Sequence, residues 1–376
     1  MYKSDKTFFI GRPNIGNRDD FYRRLDSIFE RRWLTNEGEC VLELEKELSR
    51  YLGVKHCVAM CNGTVALELA IRANGMSGNV LVPSMTFIAT AHALKWQEIT
   101  PVFVDIKPSS LNICPDSVQR LIDENTTGIV GVHLYGRPCD IDTLSDIAER
   151  NNLKLIFDAA HAFGASYKGE KIGRYGNCEV FSFHATKVFN TFEGGAVTTN
   201  DDELAKKLRL MKNFGFEGED TVSHIGINGK MAEVNAAMGL TNLEQLEDFI
   251  EINRVNYHAY RGGLRNVPGI SLIHYDEDEA NNYQYIIICI DQAQSGYSRD
   301  DLKEYLAAHG IIARRYFYPG CHKMEPYNSL DPHAGIRLPA TEAYSKMMLA
   351  LPTGTQICSQ EIESLCDLIK SFKSRQ

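Results

Sequence analysis

Hydrophobic and polar positions along the chain follow two rhythms, one helical and one of short apolar runs. The stretch from Asp19 to Arg32 is amphipathic, and Trp33-Leu34-Thr35-Asn36 ends it. A second helix is predicted next, with Val41, Leu44, Leu48 and Leu52 three and four residues apart on one face and Gly53 as its stop. From residue 56 the pattern changes. HCVAM (56–60), NVLVP (79–83), PVFVD (101–105), TGIVGVHLY (127–135) and LKLIFDAA (153–160) read as strands. Between them GTVALELAIRA (63–73), TFIATAHALKW (86–96), PDSVQRLIDE (115–124) and DIDTLSDIAERN (140–151) read as helices. Strands that are apolar throughout, separated by helices, predict a mainly parallel sheet covered on both faces. Right-handed crossovers then bring every strand's carboxyl end to one edge, where such sheets bind ligands.

VFSFH (180–184) and GAVTT (195–199) follow with no helix between them, so the sheet is expected to be mixed there. A helix over about 202–212, a glycine-rich loop and a long helical stretch over 231–264 come next. The long helix predicts a bridge from a large domain (1–245) to a smaller C-terminal α/β domain (246–376). Within the smaller domain YQYIIICI (283–290) and IIARR (311–315) read as strands and SRDDLKEYLAAHG (298–310) as a helix capped by Ser298. An irregular loop and a final helix over 360–372 complete it.

Composition narrows the classes of function. With 376 residues, 44% hydrophobic and 24% charged, the chain is an ordinary globular one. Its net charge of −9 argues against nucleic-acid and membrane-surface partners, which need a positive face. Ten cysteines stand singly, without a Cys-x-x-Cys, and several sit in apolar runs such as HCVAMC and IIICI. They predict free thiols in a reducing compartment and no zinc site. MYKSDKTFFIGRP lacks the apolar core of a signal peptide, and no run of about eighteen apolar residues occurs, so a cytoplasmic location is expected.

Candidate chemistry gathers at the strand ends. Asn62-Gly63-Thr64 opens a helix after HCVAM, as a plain cap or as a phosphate site with the Thr64 hydroxyl as an added donor. Phe87 follows NVLVP, as a core aromatic or as a stacking face for a planar ring. Asp158 ends LKLIFD, where an acid is costly unless paired, either with a nearby Lys or Arg or with a protonated pyridine nitrogen. Lys187 lies in the loop after VFSFH, flanked by Ser182 and His184, as a solvated charge or as an amine able to form a Schiff base. Phosphate donors, a stacking ring, a carboxylate and an amine are jointly what a pyridoxal phosphate site requires.

Those positions fall within WLTNEG (33–38), CNGTVALELA (61–70), VPSMTFIATAHA (82–93), FDAAHAFGA (157–165), SFHATK (182–187), EGGAVTTND (193–201), INGKMAEVNAAMG (227–239) and RRYFYPGCH (314–322). In these segments, and over nearly its whole length, the chain resembles the DegT/DnrJ/EryC1/StrS family of sugar aminotransferases. The resemblance implies the aspartate-aminotransferase-like α/β fold (fold type I) and pyridoxal 5'-phosphate as cofactor. Carried over by position, it implies that Lys187 bonds the cofactor and shuttles protons, and that Asp158 pairs with the pyridine nitrogen. It also implies His161 close to the ring and its 3-hydroxyl, Phe87 on the ring face, and Gly63, Thr64 and Ser182 at the phosphate. Asn228 matches an asparagine that reaches the phosphate of a partner subunit, which implies a homodimer with active sites at its interface. Thr35, His184, Arg315, Tyr316 and Tyr318 fall on segments that face the substrate.

Two departures stand out: Phe192-Glu193-Gly194-Gly195 where the family often has Gly-Glu-Gly-Gly, and WLTNEG for the common WLTNGP. Neither touches Lys187 or Asp158. Dehydrating relatives carry histidine at the lysine position, so Lys187 argues against that outcome.

The implied activity moves an amino group from L-glutamate onto a keto group of a nucleotide-linked deoxysugar. FDAAHAFGA and SFHATKVFNTFEGGA are most similar to members that convert dTDP-4-keto-6-deoxyglucose to dTDP-4-amino-4,6-dideoxyglucose for O-antigen or other surface glycans. A C-3 aminotransferase, or one taking a GDP- or UDP-linked sugar, is the near alternative. A non-catalytic regulatory protein is a more distant one, against which Lys187 and Asp158 count. A dinucleotide-binding dehydrogenase would need Gly-x-Gly-x-x-Gly after the first strand, and CNGTVAL lacks it.

Overall fold

The structure, a computed structural model, describes residues 6–330 and 336–372. Its centre is a seven-stranded sheet. In spatial order the strands are β2 (His56–Met60), β10 (Gly195–Thr199), β9 (Cys178–Ser182), β6 (Lys154–Asp158), β5 (Thr126–Val132), β3 (Asn79–Pro83) and β4 (Thr100–Val104). Six strands run in one direction and β10 runs against both neighbours. The mixed sheet follows from the missing crossover helix between β9 and β10.

Alternation along the strands explains their unbroken apolar character. In β6, Leu155 and Phe157 join a core with Leu44 and Leu48, whereas Ile156 joins the opposite core with Ala66 and Ala70. In β9, Phe181 faces the first core and Val180 the second. Each face is therefore covered by helices, and the strand interiors are largely shielded from water, with Lys154 exposed at the start of β6. Helix α1 (Arg18–Arg31) ends on a left-handed Arg32, and α2 (Glu39–Leu52) ends on Gly53 at φ 67°. The apolar stripe of α2 is the predicted one: Val41, Leu44, Leu48 and Leu52 are buried. Helix α3 (Gly63–Ala73) follows β2, and α4 (Ile88–Lys95) follows β3.

A second, antiparallel sheet orders β11 (Ile270–Leu272), β12 (Ile286–Ile290) and β14 (Met348–Leu351). Two small sheets pair β1 (Phe8–Phe9) with β13 (Ile311–Ile312), and β7 (Ser166–Tyr167) with β8 (Glu170–Lys171).

Three expectations need correction. The stretch 231–264 is two helices, Glu233–Leu243 and Leu246–Gly263, because the backbone leaves helical geometry at Gln245 (φ −117°). The strand expected from residue 283 begins at Ile286, since Tyr283 has a left-handed backbone (φ 47°). IIARR is strand only at Ile311–Ile312, and the irregular loop after it holds a helix, Pro339–Met347, and then β14. All ten cysteines are free. Among the described residues no cluster of potential metal ligands occurs, and no helix is long and apolar enough to cross a membrane.

Candidate active site

At the carboxyl edge of the large sheet, strand ends and the starts of α3 and α4 enclose a cavity of about 320 Å³. Gly63, Thr64, Phe87, Asp158, His161, Ser182, His184, Lys187 and Tyr316 all line it. Residues from five separate segments thus converge on one space.

Helix α3 begins at this edge. Asn62 caps it by accepting from the Val65 N–H (2.8 Å). The Gly63 and Thr64 N–H groups have no partner among the described residues and open onto the cavity. Cap and anion site therefore coexist. The helix start sits hard against the sheet: a Cβ on Gly63 would lie 2.9 Å from the Ser182 Cβ, and one on Gly195 2.7 Å from the Gly63 nitrogen. These two glycines allow the approach that brings the Ser182 hydroxyl and the helix N–H groups together.

Asp158 ends β6 between β5 and β9. Its Oδ2 accepts from Thr90 Oγ1 (2.8 Å) on α4, and its Oδ1 from the Ala160 N–H (3.1 Å). Both donors are neutral. Among the described residues no Lys, Arg or His lies within 4 Å of the carboxylate. Burial accordingly raises its pKa, despite these two donors and the more distant charge of Lys187. The alternative of a salt bridge to a nearby Lys or Arg is not realised among the described residues, and the carboxylate is short of a cation.

Lys187 stands in the loop after β9, fixed by its own N–H to the His184 carbonyl (2.9 Å) and by the Val188 N–H to Gln284 Oε1 (2.9 Å). Its Nζ lies 3.4 Å from Tyr285 Oη. Burial lowers its pKa from the ordinary value to about 8, against the opposing pull of Asp158. Such an amine is a nucleophile at near-neutral pH.

His161 is buried, and its Nδ1 accepts from the Tyr135 N–H (3.2 Å). That bond assigns the neutral ring's proton to Nε2. Burial, reinforced by Lys187, keeps the ring's pKa well below its usual value. Tyr135 makes the bond from a left-handed backbone (φ 58°). Phe87 is 57% exposed and borders the cavity, with its ring 6.3 Å from Phe317. His184 is exposed and bonds Thr186 Oγ1 (2.8 Å), with Nε2 3.5 Å from Glu193.

Thr35, Asn228, Arg315 and Tyr318 do not line this cavity. Arg315 pairs with Asp300 (3.3 Å) and lies over the Tyr318 ring (5.0 Å), so both belong to the outer side of that segment. Its neighbour Arg314 borders the cavity and donates to the Tyr316 hydroxyl (3.0 Å). Arg314 is bridged to Ala350 in extended backbone, where successive side chains point to opposite sides. Sequence reasoning also missed Thr90, Tyr285 and Phe317. The two hydroxyl positions resemble core residues in the sequence, and only the four-residue spacing from Thr86, just before α4, to Thr90 within it hinted at a shared face.

The residues fit pyridoxal phosphate. Open N–H groups with the Ser182 hydroxyl suit a phosphate, an exposed aromatic face suits a ring, and the carboxylate lacks the cation that a pyridinium would supply. Fold and constellation define a class, the pyridoxal-phosphate aminotransferases of fold type I. A model of the DegT/DnrJ/EryC1/StrS aminotransferase family matches residues 17–370. A dTDP-4-amino-4,6-dideoxy-D-glucose transaminase of Shigella dysenteriae is 40% identical over 370 residues, covering 98% of this chain and 100% of its own. A GDP-perosamine synthase of Caulobacter vibrioides is 35% identical over 336 residues, 88% of this chain and 89% of its own. The crystal structure of DesI in the presence of its TDP-sugar product superposes with a TM-score of 0.94 at 45% identity, over 98% of this chain and 94% of that one. The chain belongs to the DegT/DnrJ/EryC1/StrS family and is a pyridoxal-phosphate-dependent aminotransferase.

Proposed function

We propose that the protein moves the amino group of L-glutamate to C4 of dTDP-4-dehydro-6-deoxy-D-glucose, giving dTDP-4-amino-4,6-dideoxy-D-glucose for surface-glycan (O-antigen) synthesis in the cytoplasm. The observation that carries this is full-length likeness to a transaminase of that sugar, with the complete set of strand-end groups facing one cavity. A GDP-linked keto sugar is the second reading, favoured by the likeness to a GDP-perosamine synthase.

Gly63, Thr64 and Ser182 would hold the cofactor's phosphate, Phe87 its ring face, Asp158 its pyridine nitrogen and His161 the oxygen beside it. Bound there, pyridoxal phosphate supplies an electron sink that stabilises charge at the donor's α-carbon. Lys187 Nζ would take the proton from that carbon and release it to the aminated cofactor, and in the second half-reaction Nζ would take a proton back from there and deliver it to the sugar carbon receiving nitrogen. Asp158 stays ionised and holds its partner charge. His161, neutral, offers its Nε2–H as a donor. Arg314 and Tyr316 at the rim, with His184, suit a diphosphate and a sugar hydroxyl.

A homodimer with shared sites is part of the same reading. Trp33 and Leu34 are exposed, as are Phe214, Val222 and Ile225. The two segments meet, since the Glu233 N–H bonds the Leu34 carbonyl (3.0 Å) and Glu37 pairs with Lys212 (3.1 Å). Thr35 and Asn228 belong to these exposed apolar segments, away from their own chain's cavity. Such a patch suits a second copy, whose cavity Thr35 and Asn228 would complete. The division into domains 1–245 and 246–376 belongs to this reading as well, with the two sheets as their separate centres. The test is spectroscopic. Glutamate should bleach the visible band of the holoenzyme, and the dTDP-keto sugar should restore it. A band that glutamate leaves unchanged counts against the reading.

A further inference from the structure

Lys187 borders two spaces. One is the large cavity. The other is a recess of about 30 Å³, lined among others by Asn14, Gln284 and Thr353 and roomy enough for a single water. A free lysine amine on four rotatable bonds can turn toward either, and only the first holds the reacting carbon. Tyr285 borders both.

The phenol is well fixed. Its ring lies 4.6 Å from His161, 5.5 Å from Tyr135 and 6.2 Å from Tyr316. Its carbonyl accepts from the Tyr275 hydroxyl (2.9 Å), and β12 begins at the next residue. Among the described residues the Tyr285 hydroxyl has one hydrogen-bond partner, Lys187 Nζ at 3.4 Å. A rigid buried hydroxyl that faces only the reacting amine has no structural task that phenylalanine would not perform. Bonds of this kind are often long before substrate binds.

We propose that Tyr285 is a second catalytic residue of the aminotransfer: its hydroxyl holds the free Lys187 amine on the large-cavity side, lone pair toward the donor's α-carbon. This rests on the aminotransferase reading above. During the step the α-proton passes to Nζ, and the C–H electron pair stays on carbon. The Tyr285 O–H keeps its own proton, donating to the amine before transfer and accepting from the ammonium after it. Burial supports the role by keeping the phenol protonated across the working range.

The experiment compares wild type, Tyr285→Phe and Tyr275→Phe as holoenzymes, with the glutamate half-reaction followed in the visible band. Tyr285→Phe is expected to slow it about tenfold. It should also raise the isotope effect of α-deuterated glutamate, with the glutamate concentration for half-maximal rate unchanged. Tyr275→Phe, which loses a hydroxyl bonded to backbone, should leave the isotope effect as in wild type. Equal rates and isotope effects in Tyr285→Phe and wild type would overturn the proposal, as would a raised isotope effect in Tyr275→Phe alone. Failure of the aminotransferase reading is distinct, because wild type itself would then not react with glutamate.

Discussion

Lys187 owes its chemistry to its surroundings, and pH exposes this. Its amine is held near pKa 8 by burial, with Asp158 opposing the shift. A lowered lysine pKa means that the neutral, nucleophilic form grows as pH rises through about 8 and is nearly complete one to two units above it. Capture of pyridoxal phosphate by cofactor-free protein should therefore accelerate up to about pH 9 and then level. An amine at the ordinary value would still be gaining there. Lys187→Ala should leave the cofactor reversibly bound, without the visible band and without turnover. Stopped-flow absorbance across pH checks both statements. The acid and the lysine were legible in the sequence because a carboxylate at the end of an apolar strand demands a partner. Tyr285 was not, since it lies just before a strand about a hundred residues later and its hydroxyl is invisible beside an apolar run. Arg314 and Arg315 were indistinguishable until backbone pairing fixed which side each takes.

Elements carry the second layer. Helix α3 reaches the cavity only because Gly63 has no side chain where the Ser182 Cβ lies 2.9 Å from the position a Cβ would take. Gly63→Ala should push the helix start off β9 and weaken cofactor binding at least tenfold in a titration, while the melting temperature of the cofactor-free protein moves little. Helix α2 is held differently. Its Glu45 is buried, accepts from the Ala59 N–H (2.8 Å), and pairs with Lys212 (3.1 Å) and Arg209 (2.6 Å). Removing one partner strands a buried charge. Glu45→Ala should therefore cost about 3 kcal/mol in urea unfolding, the low end of what breaking a buried pair costs because half-exposed Glu37 also reaches Lys212. A loss under about 1 kcal/mol would mean that water reaches the pair. Periodicity revealed α2 and the strands of the large sheet well, because each buries a regular stripe. It failed at Gln245 and at Pro339–Met347, where a backbone break and a short helix leave little period to read.

At the scale of the whole molecule, the proposed second copy rests on the exposed apolar segments around Trp33 and Ile225. Analytical ultracentrifugation should give twice the chain mass, and charged substitutions at Leu34 and Ile225 together should yield monomers with little activity. Fully active monomers would remove Asn228 and Thr35 from the site. The sequence could not show this patch as continuous, because its two halves lie nearly two hundred residues apart. The aminotransfer itself is tested most directly with ¹⁵N-labelled L-glutamate and a panel of dTDP-, GDP- and UDP-linked keto sugars, reading the aminated carbon by NMR. The proposed aminotransfer predicts ¹⁵N at C4 of the dTDP-linked 6-deoxy sugar and none with Lys187→Ala. Labelled nitrogen in no sugar, or undiminished transfer by the alanine variant, would contradict it.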